Sequence, residues 1–333
     1  MIGILFTGGT ISMKLDPSLG AAVPAFGAAD ILAKVSGLDA IADVEVEDFS
    51  RLPGPHVTPE QMWRLARRAA AWLDRPDIDG LVITHGTDTI EETAFLLDVL
   101  LLSEKPVVLV GAMRTVSDAG WDGPANLLGA VRVAASPDAR GQGVLVVMDD
   151  HILPAREVRK VHTESSSSFA TPEFGPLGQV DAGVVRFRRR VLTKSSWRAP
   201  DAQPGLRVGR LETQIGMVQV YTGMDDGVVR HFLNGRSVGL AVIALGRGNV
   251  PPAIVPALED AVRNDLLVTV SSRCIAGRVS PRYGYEGGGL QLKKIGALLA
   301  GDLSGAKARL LQMVALGGTK TPDDARRVFA SLI

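Results

Sequence analysis

The chain has 333 residues, room for about two average domains, and 46% of them are hydrophobic at a mean hydropathy of +0.18, which excludes a mainly disordered polymer. Lys plus Arg and Asp plus Glu balance at 36 each, so no overall field draws the chain to nucleic acid or to an anionic membrane; the expected partner is a small or locally neutral molecule. The single cysteine, Cys274, excludes an internal disulfide framework and fits a reducing compartment, and the five histidines lack metal-ligand spacing, so neither a metal nor another cofactor is expected.

Ile2 to Phe6 reads as a first buried strand and is too short for the apolar core of a secretory signal. Thr58-Pro59-Glu60-Gln61 opens a helix, with Thr58 as N-cap, Pro at the first helical position and Gln three residues after the cap. Met62, Leu65, Ala66, Ala69 and Leu73 follow at helical spacing up to a stop at Arg75-Pro76. Leu81 to Ile83 is the next strand, and Thr89-Ile90-Glu91-Glu92 reads as a capping box that starts a helix running to about Leu102. Asp98 interrupts the longest apolar stretch, which stays well short of the ~18 residues a membrane helix needs. A cytoplasmic protein is expected.

After Lys105-Pro106 comes the strand Val107 to Val110; Asp122-Gly123-Pro124 opens a helix through about Ala135, and Val144 to Met148 is a further strand. Short apolar strands alternating with helices predict an α/β fold, a parallel sheet covered by helices. Arg186 to Arg190 reads as an edge strand with a solvated basic face. The expected organisation is an N-terminal α/β domain over 1–190, a linker over 191–212 and a smaller C-terminal α/β domain over 213–333. In the last, strands are expected at Ile215 to Tyr221, Val238 to Leu245 and Leu266 to Val270, with helices at about Pro252 to Asn264 and about Pro322 to Leu332, the latter capped by Thr321.

In an open α/β sheet, ligands lie at the carboxyl ends of the strands. Thr7-Gly8-Gly9-Thr10 follows the first strand, where two glycines let backbone approach a ligand and leave Thr10 exposed, although a tight turn explains them equally well. Thr84-His85-Gly86-Thr87-Asp88-Thr89 is more polar than a helix cap requires. A hydroxyl, a carboxylate and backbone N–H groups at a helix start form a cradle for an amino acid, with Asp88 for the ammonium and N–H groups for an oxyanion. Lys160, in Arg156-Glu157-Val158-Arg159-Lys160-Val161, reads on its own as a surface lysine.

Phe6-Thr7-Gly8-Gly9-Thr10-Ile11 and Ile83-Thr84-His85-Gly86-Thr87-Asp88-Thr89 together resemble the two signature motifs of the bacterial-type L-asparaginase/glutaminase family. The likeness continues through Lys105-Pro106-Val107-Val108, Gly111-Ala112-Met113-Arg114, Asp122-Gly123-Pro124-Ala125-Asn126-Leu127, Gly143 to Asp149 and Gly175-Pro176-Leu177-Gly178. It covers nearly the whole chain. Ser272-Arg273-Cys274 with Gly277, Val279 and Tyr285 is more similar to the cytosolic branch.

The resemblance implies a flavodoxin-like, doubly wound N-terminal domain, a smaller C-terminal α/β domain and a threonine amidohydrolase that takes L-asparagine to L-aspartate and ammonia. Thr10 matches the nucleophile, and Thr87, Asp88 and Lys160 match the supporting constellation. Gly86, Thr87 and Asp88 would bind substrate together with Pro55 and His56. The family forms homodimers or homotetramers whose active sites borrow groups from the partner's C-terminal domain at the intimate dimer interface; Asn249, Tyr285 and Glu286 are the matching candidates.

Two departures stand out. The family's tyrosine in the mobile loop after the nucleophile is absent, since no tyrosine precedes Tyr221; Lys14, Asp16 or a water would have to replace it, or activity is weak. Where the family commonly has Ser-Gln for the substrate's α-carboxylate, this chain has Pro55-His56. Pro55-His56 leaves open a related amidase for glutamine, D-asparagine or an amide lacking a free α-carboxylate, and the missing tyrosine a poorly active ligand-binding or regulatory homologue.

Overall fold

The computed structural model describes residues 1–192 and 195–333; Thr193 and Lys194, inside the stretch expected as a linker, lie outside the described residues. The chain divides into two compact units, Met1–Thr193 with Pro204–Leu206 and Lys194–Gln203 with Arg207–Ile333.

In the first unit, five strands run parallel: β1 (Ile2–Gly8), β2 (Val44–Leu52), β3 (Gly80–Thr84), β4 (Val107–Val110) and β5 (Val144–Met148). Their order, β2-β1-β3-β4-β5, is the flavodoxin-like doubly wound order. Antiparallel strands β6 (His151–Pro154), β7 (Gly178–Asp181) and β8 (Val184–Phe187) extend the sheet beyond β5, with β8 at the edge. Every residue of β1, β3, β4 and β5 is buried, as expected of strands covered on both faces. The order reverses between β1 and β3, so the carboxyl ends of these two strands flank the switch point where such sheets hold ligands.

Helix α1 (Pro59–Leu73) starts and ends where its cap and periodicity predict, with the Thr58 hydroxyl accepting the Gln61 N–H. β2 was not legible because its residues are only half-buried. Its Glu47 binds Arg68 of α1 through both carboxylate oxygens and accepts the Trp72 indole N–H at 3.0 Å. Helix α2 (Ile90–Leu100) lacks the predicted capping box: Thr89 Oγ1 instead donates to the Gly54 carbonyl at 2.8 Å. Helix α3 (Gly123–Ala135) follows β4 as expected. Of the basic run at and after β8, Arg189 is only partly solvated; its guanidinium pairs with Glu157 at 2.5 Å.

The second unit holds a parallel four-stranded sheet, β9 (Ile215–Gln219), β10 (Gly239–Ala244), β11 (Leu267–Ser272) and β12 (Leu298–Leu299). Its helices include α4 (Gly227–Asn234), α5 (Val255–Arg263), α6 (Gly305–Gly317) and α7 (Pro322–Leu332). α6 escaped the sequence reading because it is buried almost all round, Lys307 and Gln312 included, and so has no amphipathic period to read. The stretch expected as a linker is shared between the units. Residues 204–206 go with the first and most of the described remainder with the second, where buried Arg207 donates to the Ser195 carbonyl at 3.0 Å and to that of Trp197. Among the described residues, no helix is long and apolar enough to cross a membrane.

Candidate active site

The ends of β1 and β3 are bolted together by Thr7, whose hydroxyl donates to the Thr84 carbonyl at 2.5 Å while its N–H donates to Thr84 Oγ1 at 3.2 Å. Beyond them three loops meet through glycine. Gly9 has φ +88°, and a Cβ on it would lie 2.6 Å from Gly86 Cα. A Cβ on Gly86 would lie 2.6 Å from Gly54 Cα. Three backbones therefore stack in direct contact, and no side chain fits between them. Thr10 and Thr87 each directly follow a glycine of this stack.

Thr10 begins a single 3-10 turn, Thr10–Ser12, and is half-buried. Its neighbours are anchored: Ile11 is fully buried and Ser12 Oγ donates to the Gly9 carbonyl at 2.9 Å. The Thr10 hydroxyl itself has no hydrogen-bond partner among the described residues, so it is free to meet a ligand.

Lys160 is not the surface lysine it reads as in isolation; its side chain is 17% exposed. Its ammonium donates to Thr87 Oγ1 at 2.9 Å and to Asp88 Oδ1 at 2.7 Å. Thr87 is buried, whereas Asp88 is more than half exposed and presents its carboxylate outward. An ammonium has three donors, so one N–H remains, and the Thr87 O–H is also left to point at a ligand. This is a hydroxyl, a carboxylate and an amine in contact at a helix start, an arrangement able to hold an ammonium group and to pass a proton.

His85 supports this turn from inside. It is fully buried, and burial pushes its pKa down to about 4, so the ring is neutral near pH 7. Since the Gly86 carbonyl can only accept, Nδ1 carries the proton toward it at 2.9 Å, and Nε2 accepts from Thr93 Oγ1 at 2.9 Å. Asp122 and Asn126 do comparable work that the sequence reading missed. The Asp122 carboxylate accepts the N–H groups of Met113 and Arg114, both at 2.9 Å, and Asn126 donates to the Gly111 carbonyl at 3.1 Å. A Cβ on Gly111 would stand 3.0 Å from Thr87 Cγ2, so this loop forms a wall of the site. Besides their place in the family likeness, the local signal was a polar Asn126 among the apolar residues of α3.

An asparaginase N-terminal family model matches residues 1–193, and a glutaminase/asparaginase C-terminal domain model matches residues 214–329. The chain belongs to the asparaginase family. It is 37% identical over 328 residues to a probable L-asparaginase of Deinococcus radiodurans, covering 98% of this chain and 96% of that one. It is 33% identical over 329 residues to a glutaminase-asparaginase of Pseudomonas fluorescens, covering 98% and 89%. Among solved structures, a probable cytoplasmic L-asparaginase from Campylobacter jejuni superposes with a TM-score of 0.84 at 33% identity, with 99% of each chain covered.

In this asparaginase-family chain the segment after Thr10 is a hairpin, Met13–Asp16 paired with Ala21–Pro24, with exposed Leu15 and Leu19. It is tied down by the Val116 N–H on the Met13 carbonyl at 3.0 Å and by the Leu15 N–H on Ser117 Oγ at 3.0 Å. Of the groups considered in place of a lid tyrosine, Asp16 is spent on the hairpin turn. It accepts from the hydroxyl and N–H of Ser18 and from the Leu19 N–H, which hold its carboxyl below the usual carboxylate range. Lys14 is exposed.

Pro55 and His56 are exposed on the 3-10 turn Gly54–His56, whose first residue belongs to the glycine stack. In the second unit, Asn249 Oδ1 accepts the Gly289 N–H at 3.3 Å and so helps to shape the loop before it. Tyr285 and Glu286 are exposed on that loop, and the Tyr285 ring stacks on that of Tyr283 with centroids 5.4 Å apart.

Proposed function

We propose that this L-asparaginase-type amidohydrolase hydrolyses the side-chain amide of L-asparagine, with Thr10 as nucleophile and Thr87, Asp88 and Lys160 as its supporting groups. The observation that carries this reading is the Lys160 ammonium on Thr87 and Asp88 directly beside the Gly9–Gly86 contact that brings in Thr10. Thr10 Oγ adds to the amide carbonyl, its proton passes through the site to the amide nitrogen, the tetrahedral oxyanion is met by backbone N–H groups of the 86–88 turn, and collapse expels ammonia and leaves an ester on Thr10. Water then releases aspartate. The substrate's α-ammonium seats on the exposed Asp88 carboxylate, beside the Lys160 ammonium. Gly86, with Pro55 and His56 across the stack, would border the substrate's α-carboxylate.

We further propose that the protein is cytoplasmic and assembles as a homodimer or homotetramer, with Asn249, Tyr285 and Glu286 completing a partner's site. What supports this is family membership, the exposure of Tyr285 and Glu286, and the likeness to a probable cytoplasmic L-asparaginase.

The decisive experiment is ammonia release from L-asparagine, D-asparagine, L-glutamine and asparagine amide, with Thr10→Ala as control. Release from L-asparagine that Thr10→Ala abolishes is the expected result; residual turnover of more than a few per cent in a folded Thr10→Ala protein removes Thr10 from that role. A second reading, an amidase for a different substrate, is favoured by the exposed Pro55-His56 turn. It predicts that asparagine amide is turned over as fast as asparagine.

A further inference from the structure

Lys160 is carried by a strand of only two residues, Arg159–Lys160, which faces a second two-residue strand, Phe169–Ala170. A ladder this short does not fix its own position. Beyond it, the connecting turn closes on itself: His162 Nδ1 accepts the N–H groups of Glu164 and Ser165 at 3.0 and 2.9 Å, and the Val161 N–H donates to the Ser168 carbonyl at 2.8 Å. None of these contacts relates the lysine to the groups it serves.

Glu91 does. It lies in the first turn of α2, three residues after Asp88, and its side chain is 15% exposed. One carboxylate oxygen accepts the Lys160 backbone N–H at 2.5 Å, and the other stands 3.4 Å from Arg159 Nε. The tip of Lys160 is held by Thr87 and Asp88. Both ends of one lysine are therefore tied to the single segment 87–91, and the carboxylate sets the point from which the side chain reaches out.

We propose that Glu91 is a positioning residue for Lys160: its carboxylate, without touching substrate, fixes the backbone of the lysine so that the ammonium meets Thr87 and Asp88. This rests on the reading of Lys160 as part of the site. An acidic residue at a helix start also has a purely structural use, favourable interaction with the helix dipole, and the test must separate the two.

Glu91→Asp keeps the charge at the helix start but withdraws the carboxylate by one methylene; Glu91→Gln keeps the length and an oxygen acceptor for the Lys160 N–H but removes the charge. In the full-length protein with L-asparagine, Glu91→Asp is expected to lower kcat about tenfold, with KM and the thermal midpoint nearly unchanged. Glu91→Gln is expected to stay within about threefold of wild type. Wild-type kcat in both variants, or a kcat loss that follows the thermal midpoint or appears with Gln and not with Asp, overturns the proposal. Lys160→Met, measured alongside, tells the two failures apart. If it loses activity while Glu91→Asp does not, only the positioning role falls; if it keeps full activity, the reading of Lys160 falls and takes Glu91 with it.

Discussion

Lys160 Nζ and Thr87 Oγ1, separated by 73 residues in the chain, lie 2.9 Å apart beyond the carboxyl end of β3. The pair joins a lysine from a two-residue strand to the turn after β3, and the chemistry assigned to the site depends on it.

Thr87→Val removes the hydroxyl while keeping the branched shape of a buried residue. It is expected to lower kcat for amide hydrolysis by about two orders of magnitude or more, with far-UV circular dichroism unchanged. A fall of less than about threefold would show that Thr87 is a packing residue.

Gly86→Ala pushes a methyl group into the backbone of Gly54, at 2.6 Å from its Cα. The backbone must yield rather than a flexible side chain, so the expected destabilisation is about 1–3 kcal/mol in urea titration. Activity should fall further than the folded fraction does, because the stack sets the spacing of Thr10 and Thr87. Activity that simply follows the folded fraction would contradict this.

His85 gives the fold an acid-sensitive point. Its pKa is about 4 in the fold against 6.5 in an unfolded chain, so between these values the unfolded state binds more protons and stability falls as the pH falls. The contribution is intact above pH ~6.5 and declines by up to about 3 kcal/mol toward pH ~4. Denaturant titrations at pH 7 and 4.5 should show this slope, and His85→Gln, less stable at pH 7, should flatten it. An unchanged slope in that variant would assign the acid sensitivity elsewhere.

His56 is exposed, so His56→Ala should change stability by no more than about 0.5 kcal/mol. If its ring meets the substrate's α-carboxylate, KM for asparagine should rise about five- to tenfold at constant kcat, with no change for asparagine amide. An unchanged KM for asparagine would leave the ring as a solvent-facing loop residue.

What the sequence determined by itself is whatever rests on local signals. The starts of α1 and α7 and their approximate extents were readable because an N-cap, an N1 proline and a 3.6-residue period are all contained within one segment. β1, β3, β4 and β5 were readable because strands buried on both faces are continuous apolar runs. The Thr10 and Thr87-Asp88 loops were visible as polar residues placed directly after such runs.

Only the tertiary structure decided the rest. β2 is half-buried against α1 and α6 is buried almost all round, so neither carries the periodicity that would reveal it. Thr89 gives up its predicted capping role because the Gly54 carbonyl, distant in sequence, offers its hydroxyl a partner. Lys160 on its own is a lysine in a basic stretch; its contacts with Thr87, Asp88 and Glu91 come from segments about 70 residues earlier, brought close by the parallel steps from β3 through β4 to β5 and the antiparallel return at β6. The physical reason is the same in each case. Caps and periods are properties of a short stretch of chain, whereas the partner of a polar group is chosen by whatever the fold places within hydrogen-bonding reach.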